Sequence, residues 1–293
     1  MAVRIAIANH KGGVGKSTTT MMLADGLALL GYRVLVLDFD PQAMISKVLL
    51  GISGLDAVER QRRTLGHLLQ QLANGKAVQL AKYRTRASDL IPLRDATDGR
   101  GVDLVASNRN LLKDLGDLED AIRALHRKHR IDVTLATLLE PQLLRLSAHY
   151  DVMLFDCPAG TPPLALAALR LATHAIAPTN LEQNAYSALT DFLHIILEDD
   201  LGLAGKLRVH VLPTMYQAQN PEQRRMLDHI QGGIYGLNAF TRPVPMMTAI
   251  QRAEDHPGPG NYRSPREKYD QALVEVEALA RAVAERIMKG NKT

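Results

Sequence analysis

The sequence predicts an α/β protein, a mainly parallel, doubly wound sheet with helices on both faces. Three observations carry that expectation. Short β-branched apolar runs alternate with stretches of helical spacing along most of the 293 residues, the pattern of strand–helix–strand units with right-handed crossovers. A glycine-rich turn at residues 10–18 sits directly between the first strand and the first helix. Aspartates close two later strands, at the strand ends where open α/β sheets place their chemistry.

The first strand runs from Val3 to Ala8 and the first helix from Thr18 to Leu30, with His-Lys-Gly-Gly-Val-Gly-Lys-Ser-Thr between them at residues 10–18. A strand, a glycine-rich turn and a helix is the setting of a phosphate-binding loop. Gly12, Gly13 and Gly15 lack a Cβ, so their backbone N–H groups, with that of Val14, can converge on an anion. Lys16 is placed to reach the β- and γ-phosphates and the Ser17 hydroxyl to ligate Mg²⁺, while the helix N-terminus favours negative charge. The strict pattern G-x-x-x-x-G-K-[ST] asks for glycine at position 10, where this chain has His10, and Lys11 supplies a second lysine.

Arg33 to Leu37 reads as a buried strand ending in Asp38-Phe-Asp40-Pro-Gln42. Taken alone, those carboxylates could be a solvated strand end with a turn at Asp40-Pro41. Residues 51–101 carry a weaker signal and read as a less regular, basic, exposed periphery, with Lys82, Arg84, Arg86, Arg94 and Arg100. Within and beside it, Thr64 to Leu72 reads as a capped helix, and Asp89 to Pro92 and Val102 to Ala106 as strands. Leu111 to Arg130 has a helical apolar stripe and a basic end. That end either complements the helix dipole or contacts phosphates through groups such as Arg127 and Lys128. A helix over Thr134 to Ala148 leads into Tyr150-Asp-Val-Met-Leu-Phe-Asp156-Cys-Pro158. Four apolar residues and then Asp156 describe a Walker B strand, whose carboxylate holds Mg²⁺ through water. Strands follow at Ala175–Pro178 and Arg208–Pro213, with helices at Glu182–Leu197 and Pro221–Ile230, and residues 264–289 read as one closing helix. With no linker between self-sufficient halves, residues 1–293 are expected to form one domain.

Cys157 is the only cysteine, which excludes an internal disulfide framework and suits a reducing cytosol. No apolar run approaches the roughly 20 residues that span a bilayer, and the first strand leaves no room for a signal peptide. The net charge of +4 permits contact with nucleic acid or anionic lipid without requiring either.

With these pieces in place, the chain resembles the deviant Walker A ATPases of the ParA/MinD family, closest to the ParA/Soj type, over nearly its whole length. The matching stretches are Ala8-Asn-His-Lys-Gly-Gly-Val-Gly-Lys-Ser-Thr18, Val36-Leu-Asp-Phe-Asp-Pro-Gln42 and Tyr150 to Pro158. Looser matches are Ala177-Pro-Thr-Asn-Leu-Glu182, Leu212-Pro-Thr-Met-Tyr216 and Arg242-Pro-Val-Pro245 with Ala253-Glu254. The resemblance implies an ATP- and Mg²⁺-dependent ATPase that closes as a homodimer around two nucleotides. Lys16 would bind phosphates in its own subunit, and Lys11 would cross to the partner's nucleotide as the γ-phosphate leaves. Asp40 would orient the attacking water, Asp38 would support Ser17 and Asp156 around Mg²⁺, and Thr18 would touch the α-phosphate. Met215, Pro243 and Pro245 would flank the adenine.

The resemblance also implies non-specific DNA binding by the ATP-bound dimer, on the nucleoid, with a ParB-like activator or cargo adaptor triggering hydrolysis. Candidate DNA contacts are Arg263, Arg266, Lys268, Arg281, Arg286 and Lys289. A MinD-like membrane ATPase and a metabolic P-loop enzyme are the alternatives, the first disfavoured by the short tail Ile287 to Thr293, which has no aromatic residue. Ala159, where the family commonly has proline, and the Pro/Gly-rich stretch 256–263 depart from the family pattern. Cys157, beside the Walker B aspartate, reads as a buried thiol, with a redox or iron–sulfur role as the alternative.

Overall fold

The computed structural model describes residues 1–108, 111, 116, 120, 130–197, 201–203, 205–233, 238–255 and 262–288. The expected helix at 111–130, with Arg127 and Lys128, the departure at 256–261, and Lys289 therefore lie outside the described residues, wholly or in large part.

Among the described residues, eight strands form one sheet in the order β3-β4-β2-β5-β1-β6-β7-β8. They are β1 (Val3–Ile7), β2 (Arg33–Asp38), β3 (Thr85–Arg86), β4 (Gly101–Val105), β5 (Val152–Asp156), β6 (His174–Asn180), β7 (Arg208–Thr214) and β8 (Asn238–Ala239). Every pairing is parallel except β3 against β4. Side chains alternate between two cores, as the period of 2 requires. Val3, Ile5 and Ile7 join Val34, Val36 and Leu154 on one face, whereas Ala6, Leu35, Leu37 and Phe155 face the other. Both faces are covered, which explains the near-continuous apolar runs of the central strands.

Among the described residues the α-helices are α1 (Lys16–Leu29), α2 (Met44–Arg60), α3 (Leu65–Ala73), α4 (Ile91–Arg94), α5 (Ile131–Leu146), α6 (Pro163–Leu171), α7 (Gln183–Leu197), α8 (Pro221–Gln231), α9 (Thr248–Glu254), α10 (Pro265–Tyr269) and α11 (Leu273–Val283). α1 lies against α11 at small residues. A Cβ on Gly26 would come within 2.7 Å of Ala280 Cβ and 3.0 Å of Val276 O, so glycine sets how closely these helices approach.

Three sequence expectations need correction. Asp89 to Pro92 is not a strand: Leu90 makes one isolated bridge to Tyr262 and the chain then turns into α4, where Pro92 suits the first helical turn. The closing helix is not continuous. Asp270 takes φ 47° and ψ −125°, which ends α10, and α11 begins after a 3₁₀ turn at Asp270–Ala272. The basic periphery, expected to be less regular, carries the second half of α2, α3, β3 and α4, and several of its cations are paired. Arg84 and Arg86 approach Asp103 at 3.9 and 3.5 Å, Arg94 pairs with Asp95 at 2.9 Å, and Arg100 pairs with Asp98.

Candidate functional site

The carboxyl ends of β1, β2, β5 and β6 converge beneath the loop that joins β1 to α1. Gly13 (φ 71°) and Gly15 (φ 85°) occupy left-handed backbone, which glycine adopts without steric penalty. No side chain caps α1, so its first N–H groups remain available to an anion. Lys16 is buried and donates from Nζ to the Lys11 carbonyl at 3.0 Å. Burial lowers its pKa, against the opposing pull of Asp156.

Parallel pairing of β2 and β5 puts Asp38 opposite Asp156, and both carboxylates are fully buried. Asp156 accepts from Ser17 Oγ and from Thr20 Oγ1, each at 2.8 Å. Burial nevertheless raises its pKa to about 7. Asp38 accepts from Ser46 Oγ at 2.6 Å and from the N–H of Asp40 at 3.0 Å. Its pKa is also raised, by burial first and by Asp156 second. Two buried carboxylates beside a hydroxyl make a hard-oxygen donor set short of a complete protein cage. That set fits Mg²⁺, which keeps waters and shares its coordination sphere with substrate phosphates. Among the described residues, no cluster of three or more His, Cys, Asp or Glu forms a separate metal site.

Asp40 is half-buried and accepts the N–H of Gln42 at 2.8 Å, which fixes its carboxylate just beyond β2. Asn9 anchors the loop by donating to Pro178 O at 2.6 Å and accepting the Lys11 N–H at 3.2 Å. Thr214 Oγ1 donates to Val14 O at 2.9 Å. Lys11 Nζ lies 3.2 Å from Glu182 Oε2. Cys157 is a buried free thiol whose pKa burial raises.

A cavity opens beside Gly15 and Thr18, walled by Met22, Met215, Pro245 and Ile250, with Glu254 at its edge. Glu254 accepts a hydrogen bond from Thr18 Oγ1, and burial raises its pKa. Of the three residues expected to flank an adenine, Met215 and Pro245 line this cavity. Pro243 does not, because it lines a separate small cleft with Phe240, Arg242 and Glu275.

The proposed cationic face also divides. Arg263, Arg266, Arg281 and Arg286 are exposed, although Arg281 lies 3.7 Å from Glu277 and Arg286 donates to Ala239 O at 2.9 Å. Lys268 is removed from the set. Its side chain is 0% exposed and bonded to Asp25 and Asp89, so it cannot meet DNA.

Sequence reasoning missed Thr20, Ser46, Asn9 and Thr214. Thr20 had a legible signal, standing one helical turn after Lys16 on the same face. Ser46 had none, since α2 was not foreseen.

The AAA domain family profile matches residues 2–203. The chromosome-partitioning ATPase Soj of Thermus thermophilus is 29% identical over 272 residues, spanning 89% of this chain and 92% of that protein. Among solved structures, a putative plasmid partition protein from Borrelia burgdorferi B31 bound to AMPPNP superposes with a TM-score of 0.68 at 19% identity, over 98% of this chain and 100% of that one. Cobyrinic acid a,c-diamide synthase from Mycobacterium smegmatis, with bound ADP and magnesium, gives 0.69 at 22% identity, over 100% and 98%. These two structures share the fold.

Proposed function

The chain belongs to the ParA-type family of AAA-domain ATPases, and on that premise we propose that it hydrolyses ATP as a Mg²⁺-dependent homodimer that positions a cargo on DNA. The observation that carries the reading is the convergence of Lys11, Lys16, Ser17, Asp38, Asp40 and Asp156 at one glycine-rich loop. Lys16 and the N–H groups of residues 12–18 bind the phosphates, and Thr18 turns from Glu254 toward the α-phosphate. Met215 and Pro245 flank the adenine in the cavity beside Gly15. Ser17 and Asp156 would hold Mg²⁺, with Asp38 behind them, and the bound ion would supply neutralisation of phosphate charge during transfer. Asp40 orients the attacking water. Lys11 crosses the dimer interface and stabilises the departing γ-phosphoryl group of the partner's nucleotide, a term supplied only when the dimer closes. Basal turnover is consequently slow, and a ParB-like activator or cargo adaptor accelerates it.

The DNA face consists of Arg263 and Arg266, joined by the exposed Arg252 on α9, with lesser shares from Arg281 and Arg286. The cationic contacts carry no sequence preference, and the ATP-bound dimer resides on the nucleoid. No described helix is long and apolar enough to cross a membrane.

The test is a pair of substitutions read by ATP binding, turnover and light scattering. Lys16→Ala abolishes nucleotide binding. Asp40→Ala keeps ATP binding, accumulates dimer and turns over about 100-fold more slowly, the size of a lost proton-transfer or water-orienting group. Wild-type turnover in Asp40→Ala rejects the assignment.

A further inference from the structure

Lys11 is the residue that has to leave its own subunit for the dimer to work, yet its ammonium is engaged at home, 3.2 Å from Glu182 Oε2. Adjacent strands bring the two together. β1 pairs with β6, and Asn9 ties the start of the loop to Pro178 near the end of β6. Glu182 follows β6, where its carbonyl accepts the N–H groups of Ala185 and Tyr186, so its side chain issues from a fixed backbone. A second bond acts on the same segment, from Lys16 Nζ to Lys11 O at 3.0 Å.

We propose that Glu182 is a positioning residue that holds Lys11 in its own subunit until nucleotide binds, and thereby restrains dimerisation and basal turnover. This rests on the ATP-sandwich reading above. One ammonium cannot serve its own carboxylate and a partner's γ-phosphate together. When Lys16 turns to the phosphates it releases the Lys11 carbonyl, so the backbone that presents Lys11 loses one of its ties. The Lys11 ammonium then has only Glu182 to hold it, against the larger charge of the partner's triphosphate.

The strength of the hold follows from its exposure. The Lys11 and Glu182 side chains are 30% and 60% exposed, and Glu182 borders an open cleft of about 760 Å³ with Tyr186, Glu222 and His229. A hydrated pair of this kind shifts an equilibrium by about twofold to fivefold, which makes it a restraint and not a block. The competing account is a surface ion pair with no bearing on Lys11.

Full-length Glu182→Gln is compared with the parent chain from about 25 to about 300 mM salt, a range over which exposed charges become screened. At low salt its basal turnover is about twofold to fivefold higher and its dimer forms at a lower ATP concentration, with ATP affinity of the monomer unchanged. The turnover ratio of the two proteins falls toward one as salt rises. Turnover at or below the parent's at low salt, or a ratio that ignores salt, overturns the proposal. Lys11→Ala is assayed beside it. Parental turnover in Lys11→Ala rejects the sandwich reading itself, whereas its loss together with an unchanged Glu182→Gln rejects only the tether.

Discussion

At Lys268 an ammonium sits between Asp25 at 2.7 Å and Asp89 at 2.6 Å, and Tyr269 Oη donates to the same Asp25 carboxylate at 2.6 Å. Arg266, two residues earlier, is exposed. Their substitutions should therefore fail in different ways. Lys268→Ala leaves two buried carboxylates without a counter-ion and destabilises the protein by about 3–5 kcal/mol. Arg266→Ala changes stability by less than about 0.5 kcal/mol and weakens DNA retardation. Urea unfolding of the two variants checks the contrast, and parental stability in Lys268→Ala would show that the pairing carries no weight. The composition of residues 263–268 reveals charge but not depth, which is why Lys268 read as surface. One clue was available: Asp25 interrupts the apolar run Met21-Met-Leu-Ala, and a carboxylate in a buried helix needs a cation. The phosphate-loop residues were legible because their backbone and side-chain requirements fall within one short stretch. Glu254 and Pro245 come from distant sequence, and only the fold shows which of the neighbouring prolines reaches the cavity.

Between residues and whole molecule, the segments that sequence handled worst are those interrupted by unusual backbone. α2 carries apolar residues at helical spacing, Ile45, Val48, Leu49, Leu55 and Val58, all buried. Gly51, at φ 68° and ψ 169°, kinks it midway, and the kink disguised the helix as an irregular periphery. The strands were easier, since burial on both faces leaves long apolar runs. Two of them nonetheless bury histidines. His174 on β6 and His210 on β7 stack with ring centroids 5.5 Å apart. Both pKa values are lowered to about 4, by burial first, with Arg208 acting on both and Arg286 on His210. A histidine held neutral in the fold but protonated near pH 6.5 when unfolded contributes stability above about 6.5. That contribution is lost as pH falls through about 4. Unfolding free energy should thus decline across this window, and His210→Leu should flatten the decline. Identical slopes for the two proteins would mean that His210 is not held neutral.

Taken whole, the sheet puts β1 between β5 and β6, so the first strand is completed by strands that arrive some 150 and 170 residues later in the chain. Alternation of strands and helices made the fold class readable, because both faces must be covered. The strand order was not readable, since local pattern says nothing about which parallel neighbour a buried strand takes. The whole molecule is also the scale of the DNA prediction. Retardation should require ATP, and log affinity should fall linearly with log salt by about 0.9 per neutralised phosphate. Arg263→Ala and Arg266→Ala should each lower that slope by about one, and equal affinity without nucleotide would sever DNA binding from the ATPase cycle. The seat that Gly26 makes for Val276 and Ala280 carries a consequence for biosynthesis. The helix that follows the glycine-rich loop leaves the ribosome well before the helix that walls it. A chain interrupted ahead of Leu273 would leave that flank bare, so prematurely terminated copies should be cleared by proteases.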